Sequence, residues 1–468
     1  MTTSSTPNLA PDPLSIGLER YGKKLRSGEL SVEQATRAYL DRISVLDPIL
    51  SAYAYIAHDQ AIAAARLLDQ QLSSGVDLGP LMGVPIAIKD NIMVDGMPCL
   101  AGSLTDVARR LNGEASFVSL LKARGCVVLG KLNTVEFALG NTGVNARLGT
   151  PRNPWDATCF RLPSGSSSGS AVAVAAGLCA FAIGTDTGGS VRGPAAHCGV
   201  FGMKFSAGRW PMDGILPVSA ALDALGILTG SAQDAATVWR GLTGEPILVP
   251  REPGQIRLGV SKPYFFDNLD PIVETAMQAA LLRLAQHGVQ IESVAVQNAH
   301  EVDGLYNILS KSDLLSVLGQ DWVKANADRM NPDVFDRLSE AFLFTRSDYE
   351  TSIERRRALS RNVNAVLEQV DALLSPTKRE VAPTYDSTEI SVEYMRTLSR
   401  HCAGPTRIAN FFDLCGVTLP VNTPKGGLPV GMQLMGGARA ERSLLEIALT
   451  IERIIGAPAR PDLSAFFR

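Results

Sequence analysis

Apolar residues recur at helical spacing directly after the tetrapeptide S-V-E-Q at 31–34. A Ser31 hydroxyl and a Gln34 side chain three residues later can satisfy free N–H groups reciprocally, so a capped amphipathic helix is predicted over 31–46. The same spacing predicts a second helix over 58–72. The short apolar run at 83–88 reads as a buried strand that ends at Lys89. A helix over 116–124, stopped by Gly125, and a strand over 127–129 continue the rhythm. Helices alternating with apolar strands imply an α/β fold, a sheet covered by helices. Between 164 and 203 the pattern changes: a Gly/Ser loop, a helix of small residues over 171–178, a strand over 180–183, a second Gly-rich loop and the strand G-V-F-G-M-K. The stretch 245–400 is more helical, with one long charged helix over 347–370. A strand over 429–435 and a helix over 441–455 close the chain. No internal repeat or low-complexity linker divides it, so one domain over 15–468 is expected, preceded by a loose polar tail over 1–14.

Composition narrows the function classes. Of 468 residues, 46% are hydrophobic and 19% charged, which fits a globular chain with a large core. A net charge of -3 and no Lys/Arg run with interleaved aromatics argue against a nucleic-acid partner. The seven cysteines are scattered without a CxxC pair, and the five histidines form no metal-binding spacing. They read as buried free thiols in a reducing compartment. The N-terminus lacks a basic start followed by an apolar core, and the longest apolar stretch, 171–184, is too short to span a bilayer. A cytoplasmic protein without a membrane segment is expected.

The two Gly/Ser loops admit two chemistries. Glycine-loop N–H groups can cradle a phosphate, but neither loop has the P-loop or dinucleotide-binding spacing. The same N–H groups can form an oxyanion hole beside a serine nucleophile. In G-T-D-T-G-G-S, Gly188 and Gly189 permit close backbone approach to a substrate, and Ser190 ends the loop. A serine needs a base. His197 is near in sequence but lacks an evident carboxylate to orient it, and lone histidines of this kind are ordinarily core or interface residues. Lys89, carried inward by an apolar run, suits a neutral amine base; a salt bridge to the adjacent Asp90 is the structural alternative.

Taken together, the motifs resemble the amidase signature family. G-V-P-I-A-I-K-D-N, the loop containing Ser166, G-T-D-T-G-G-S-V-R and C-G-V-F-G-M-K occur in the family's order. So do G-K-L-N at 130–133, R-N-P-W-D at 152–156, D-G-I-L-P at 213–217 and G-L-P-V-G at 427–431. The core motifs lie in 80–230 and 405–455, with a variable, pocket-forming region at about 245–400. The resemblance implies a mixed, twisted β-sheet of about eleven strands covered by α-helices on both faces. It also implies a Ser–cis-Ser–Lys triad of Ser190, Ser166 and Lys89, with a cis Gly165–Ser166 peptide. Ser166 lies 24 residues before Ser190, as the family spacing requires. The oxyanion donors fall on the N–H groups of Thr187, Gly188, Gly189 and Ser190, and Asp186 and Arg192 fall on a supporting charged pair. Ser164 and Ser168 stand where the family commonly has glycine, which makes Ser167 and Ser168 rival hydroxyls. His197 replaces a hydrophobic or aromatic residue and is a candidate pocket residue, as are Phe411 and Phe412.

The implied activity is hydrolysis of a C–N amide bond through an acyl-enzyme on Ser190, without metal or organic cofactor. A small neutral aryl or alkyl amide is the expected substrate, because Ala403 stands where an amidotransferase glutaminase subunit has an aspartate and 310–322 holds no arginine. The glutaminase role and carbamate or urea hydrolysis remain the alternatives within the family. A catalytically idle binding protein is the alternative outside it. The sequence is compatible with a homodimer.

Overall fold

A computed structural model describes residues 12, 15–389, 391–421 and 427–467. The anticipated tail at 1–14 lies outside the described residues, apart from Asp12. Eleven strands form one sheet: β1 (Tyr53–Ile56), β2 (Pro85–Lys89), β3 (Val127–Leu132), β4 (Phe181–Asp186), β5 (Phe201–Lys204), β6 (Ala224–Thr229), β7 (Arg257–Val260), β8 (Gln290–Ser293), β9 (Ala372–Pro376), β10 (Cys415–Val421) and β11 (Val430–Gly436). Their order is β1-β3-β2-β4-β6-β5-β10-β11-β9-β7-β8. β2 runs parallel to both β3 and β4, and β7 parallel to β8 and β9, whereas the remaining pairs are antiparallel. The sheet is therefore mixed, with helices on both sides.

The strands β2, β3 and β4 are fully buried, so they read as near-continuous apolar runs. Two of them extend beyond the apolar signal. β3 continues through Lys131, whose ammonium is buried and paired with Asp90 at 3.0 Å. β4 continues through Thr185 and Asp186, opposite Leu225 and Ala224 of β6. A buried polar group at a strand end interrupts the hydrophobic pattern although the backbone ladder goes on.

Helix ends follow their capping chemistry. Val32–Leu50 is capped by the reciprocal Ser31–Gln34 box. The long helix Arg346–Leu367 has an equivalent box from Thr345 and Asp348. The small-residue helix starts at Ser168, earlier than its apolar run, and ends at Ala175. Its small side chains let it lie close to the sheet: a Cβ on Gly169 would stand 2.3 Å from the Ala52 carbonyl oxygen. The cysteines are free thiols, six of them buried; Cys159 is exposed and departs from the expectation. Among the described residues no helix is long and apolar enough to cross a membrane.

Candidate active site

Lys89 ends β2, and its neighbour in the sheet is β4, so Thr185 and the following loop stand beside it. The Lys89 ammonium nitrogen is fully buried and lies 2.8 Å from Ser166 Oγ and 2.8 Å from Thr185 Oγ1. Asn91 Nδ2 donates to the same threonine oxygen at 3.1 Å. No salt bridge to Asp90 forms, because Asp90 is taken by Lys131. Burial pushes the pKa of Lys89 down to about 7, against the opposing pull of the Asp186 and Asp223 carboxylates. A neutral amine is then accessible near pH 7, with a lone pair free to accept the Ser166 proton.

The first Gly/Ser loop presents three consecutive hydroxyls, and the structure separates them. Gly165–Ser166 is a cis peptide. Ser166 faces Lys89, whereas Ser167 Oγ donates to the Thr185 carbonyl at 3.2 Å and Ser168 Oγ to the Asn133 carbonyl at 3.5 Å. The Ser167 N–H donates to the Ser190 carbonyl at 3.0 Å, which ties the first loop to the second.

The second loop is locked by the Asp186–Arg192 pair. Asp186 accepts Gly189 N–H at 2.8 Å, Val191 N–H at 3.0 Å and Arg192 Nη2 at 2.9 Å. Burial alone would push the Asp186 carboxyl pKa up; the Arg192 charge and hydrogen bonds outweigh it and hold the group well below the usual carboxylate range. Arg192 is completed by Asn410 Oδ1 at 2.7 Å and Gln433 Oε1 at 3.1 Å. This geometry corrects the expected set of four oxyanion donors. Gly189 N–H points at Asp186, leaving Thr187, Gly188 and Ser190, whose N–H groups have no hydrogen-bond partner among the described residues. Removing one partner of a buried pair costs about 3–5 kcal/mol. Arg192→Met is therefore expected to lower unfolding stability by that order in urea titration. A midpoint equal to wild type would show that the backbone N–H groups alone satisfy Asp186.

Glycine is required at 188 and 189 by close approach. A Cβ on Gly188 would stand 2.5 Å from the Tyr306 hydroxyl, and one on Gly189 (φ +113°) 2.2 Å from Thr406 Oγ1. Tyr306, from the variable region, and Thr406, from the start of the C-terminal motif region, therefore press on the loop, and Thr406 Oγ1 donates to the Gly188 carbonyl at 2.8 Å. Neither residue was legible in sequence, since both depend on contacts between distant segments.

Ser190 opens into a cavity of about 300 Å³, at the small end of ligand sites. Its lining includes Gly165, Gly188, Gly189 and Ser190 from the two loops, and Tyr306, Lys311 and Arg337 from helices of the variable region. Three expectations fail here. His197 does not line the cavity: its ring is buried in the short helix Arg192–Cys198, with Nε2 3.2 Å from the Glu380 carbonyl. Burial, reinforced by Lys378, pushes its pKa down to about 3, so it behaves as a core histidine. Phe411 and Phe412 do not line the cavity either, but pack against each other in an apolar cluster, ring centroids 5.2 Å apart. Nor is the cavity neutral. Six cationic side chains (Lys311, Arg337, Lys378, Arg379, Arg400 and Arg407) and one carboxylate, Asp303, face it. The missing arginine at 310–322 and the missing aspartate at 403 pointed to an uncharged substrate; most of the cavity's charges come instead from helices and strand ends elsewhere in the chain.

Comparison with known proteins agrees with this architecture. The family model described as Amidase matches residues 34–445. The chain is 36% identical to 2-amino-5-chloromuconic acid deaminase of Comamonas testosteroni over 94% of this chain and 96% of that protein. It is 31% identical to a glutamyl-tRNA(Gln) amidotransferase subunit of Geobacter sp. (strain M21), covering 94% of this chain and 97% of that protein. Among solved structures, native peptide amidase from Stenotrophomonas maltophilia superposes with a TM-score of 0.80 at 29% identity, over 97% of this chain and 100% of that one. A chain matched over this length, with this sheet and these motifs, belongs to the amidase (amidase signature) family of enzymes that hydrolyse C–N bonds.

Proposed function

We propose that the protein is a stand-alone amidase that cleaves a small amide through an acyl-enzyme on Ser190. The observation that carries this reading is the buried Lys89 nitrogen 2.8 Å from Ser166 Oγ, next to the loop that holds Ser190. Neutral Lys89 accepts the Ser166 proton while Ser166 accepts that of Ser190, whose oxygen attacks the amide carbon. The Thr187, Gly188 and Ser190 N–H groups receive the negative charge that develops on the carbonyl oxygen. Ser166 delivers a proton to the departing nitrogen as Lys89 reprotonates it, and the amine leaves. Water then adds to the ester by the reverse path, giving the carboxylic acid and free Ser190.

The stand-alone reading is supported by 36% identity to the deaminase against 31% to the amidotransferase component, with equal coverage of this chain. That deaminase acts on an acid, and the cationic lining suits an acid better than a neutral amide. The test is incubation with a fluorophosphonate probe followed by peptide mass mapping. Stoichiometric labelling of Ser190 is expected, undiminished by prolonged treatment with a chelator. Labelling at another residue, or loss of activity on chelation with recovery on adding one divalent metal, would overturn the mechanism.

A further inference from the structure

Between β3 and the first Gly/Ser loop the chain makes a turn that its residue types disfavour. Glu136–Ala138 is one turn of 3-10 helix in which Phe137 has φ +52° and ψ +20°, and Ala138 has φ +57°. Residues with a Cβ, bulky ones above all, seldom adopt this left-handed conformation, and it persists only where the surroundings over-determine it. The turn leads straight into the cavity wall, because Ala138, Leu139, Gly140 and Asn141 line the cavity beside Ser190. Both ends of the segment are tied to the first loop. Thr134 Oγ1 donates to the Ser166 carbonyl at 2.9 Å, and the Asn141 carbonyl accepts the Gly165 N–H at 2.9 Å. The middle of the segment is held by Glu136.

The Glu136 side chain is fully buried. Its Oε2 accepts the Asn331 N–H at 2.6 Å and Asn331 Nδ2 at 2.8 Å, and its Oε1 accepts the Ser103 hydroxyl at 2.6 Å. Asn331 immediately precedes the helix Pro332–Ser339. One carboxyl group thus joins the segments around 103, 136 and 331, which are far apart in sequence. Phe137 and Leu139 belong to the same apolar cluster as Val334 and Leu338 of that helix, and the Phe137 ring meets Trp322 edge-on at 6.2 Å. Such apolar contact is non-directional and does not by itself fix where the turn sits. A satisfied buried polar network does, by specifying one arrangement. The group is costly to place here, since its three donors are neutral and burial pushes its pKa up. A costly carboxyl at the junction of a strained turn, a cavity wall and a helix start has a positional role.

We propose that Glu136 is a positioning residue that holds the 136–138 turn against the start of the helix Pro332–Ser339, fixing the Ala138–Leu139 wall of the cavity and thereby the size of acyl group that it admits. The link to acyl size rests on reading the cavity as the Ser190 amidase site. Glu136 touches neither substrate nor the reacting groups in this account. It acts through the wall.

The experiment pairs amide hydrogen exchange with ammonia release from acetamide and hexanamide, two neutral primary amides that differ in acyl length. Glu136→Leu removes the acceptors at similar size. Exchange over 136–141 and 330–335 should accelerate at least about tenfold, while β2 and β4 stay within about twofold of wild type. The kcat/KM ratio of hexanamide to acetamide should rise at least about tenfold, because a wall no longer fixed admits the longer chain. This ratio does not depend on the fraction of protein folded, so a merely destabilising role cannot move it. Glu136→Gln should restore both readouts. Its amide oxygen can accept both Asn331 donors while its NH2 donates to Ser103 Oγ, whose hydrogen turns to Thr105 Oγ1 at 2.6 Å. If Glu136→Leu fails to fold, Asn331→Ala removes one donor and should move both readouts the same way by less. Unchanged exchange in the folded variant overturns the proposal, as does faster exchange with an unchanged ratio. A Gln variant as impaired as the Leu variant overturns it too. Accelerated exchange in the variant of an enzyme that hydrolyses neither amide would strike instead at the amidase reading and would uphold the hold of Glu136 on the wall.

Discussion

Ser190→Ala is expected to lower kcat/KM by roughly four to six orders of magnitude, the range seen when a hydrolase loses its nucleophile. The expectation follows from position. Ser190 is the hydroxyl at the end of a loop whose backbone is fixed by the Asp186–Arg192 pair. It faces the cavity, and among the described residues its Oγ makes no hydrogen bond that the fold needs. The variant should therefore keep its fold, with an unfolding free energy within about 1 kcal/mol of wild type. Some rate above the uncatalysed reaction should survive, because the Thr187, Gly188 and Ser190 N–H groups remain to polarise a carbonyl, and one such donor is worth about 3–4 kcal/mol. Steady-state kinetics with fluorophosphonate labelling decides the matter. Activity within about tenfold of wild type in a folded Ser190→Ala protein would remove Ser190 from the reaction.

The proposed catalytic centre was far more legible in sequence than the pocket, for a physical reason. Lys89, Ser166 and Ser190 sit on short motifs whose local backbone builds the geometry: a strand end, a loop and a glycine turn. The strand that delivers Lys89 is wholly buried, so its apolar run marked it. Asp186 and Arg192 are six residues apart, and their pairing is nearly local. The cavity wall is different. Tyr306, Arg337, Lys378 and Arg407 come from separate elements, and nothing in the spacing of residues around each shows that they converge. Phe411 and Phe412 were expected in the pocket as apolar side chains for a neutral acyl group, yet they belong to an apolar cluster away from the cavity lining. β1 and β6–β10 were not anticipated either. Their pairing with distant strands, rather than local periodicity, defines them; Arg257–Val260 and Gln290–Ser293, for example, are four-residue strands with little pattern of their own.

Lys89→Met should show both an activity loss and an altered pH response. Loss of a positioned general base typically costs about two to four orders of magnitude, so kcat/KM should fall by that much. In wild type, only the neutral amine can accept the Ser166 proton. Burial brings the Lys89 pKa to about 7, so kcat/KM should climb with unit slope below pH 7 and level off above it. Asp223 supplies a rival origin for such a limb. Its carboxyl is pushed up to about 6 by burial and receives the Thr187 hydroxyl at 2.5 Å. The variant separates the two, because its profile should be flat if Lys89 titrates and should keep a limb near pH 6 if Asp223 does.

The stability of the fold offers an independent readout. An unfolded lysine holds its proton up to about pH 10.4, whereas folded Lys89 gives it up near pH 7. Between those values the unfolded chain binds one more proton than the folded one. Lys89 therefore opposes folding most below pH 7, and this penalty lessens as pH rises, by about 1.4 kcal/mol per unit. The stability difference, wild type minus Lys89→Met, should accordingly increase with pH from about 7 to 10, with other titrating groups cancelling in the subtraction. Urea titrations of both proteins at pH 7, 8 and 9 measure it. A difference that does not change with pH would mean that Lys89 stays charged when folded and cannot be the base, whatever the rate of the variant.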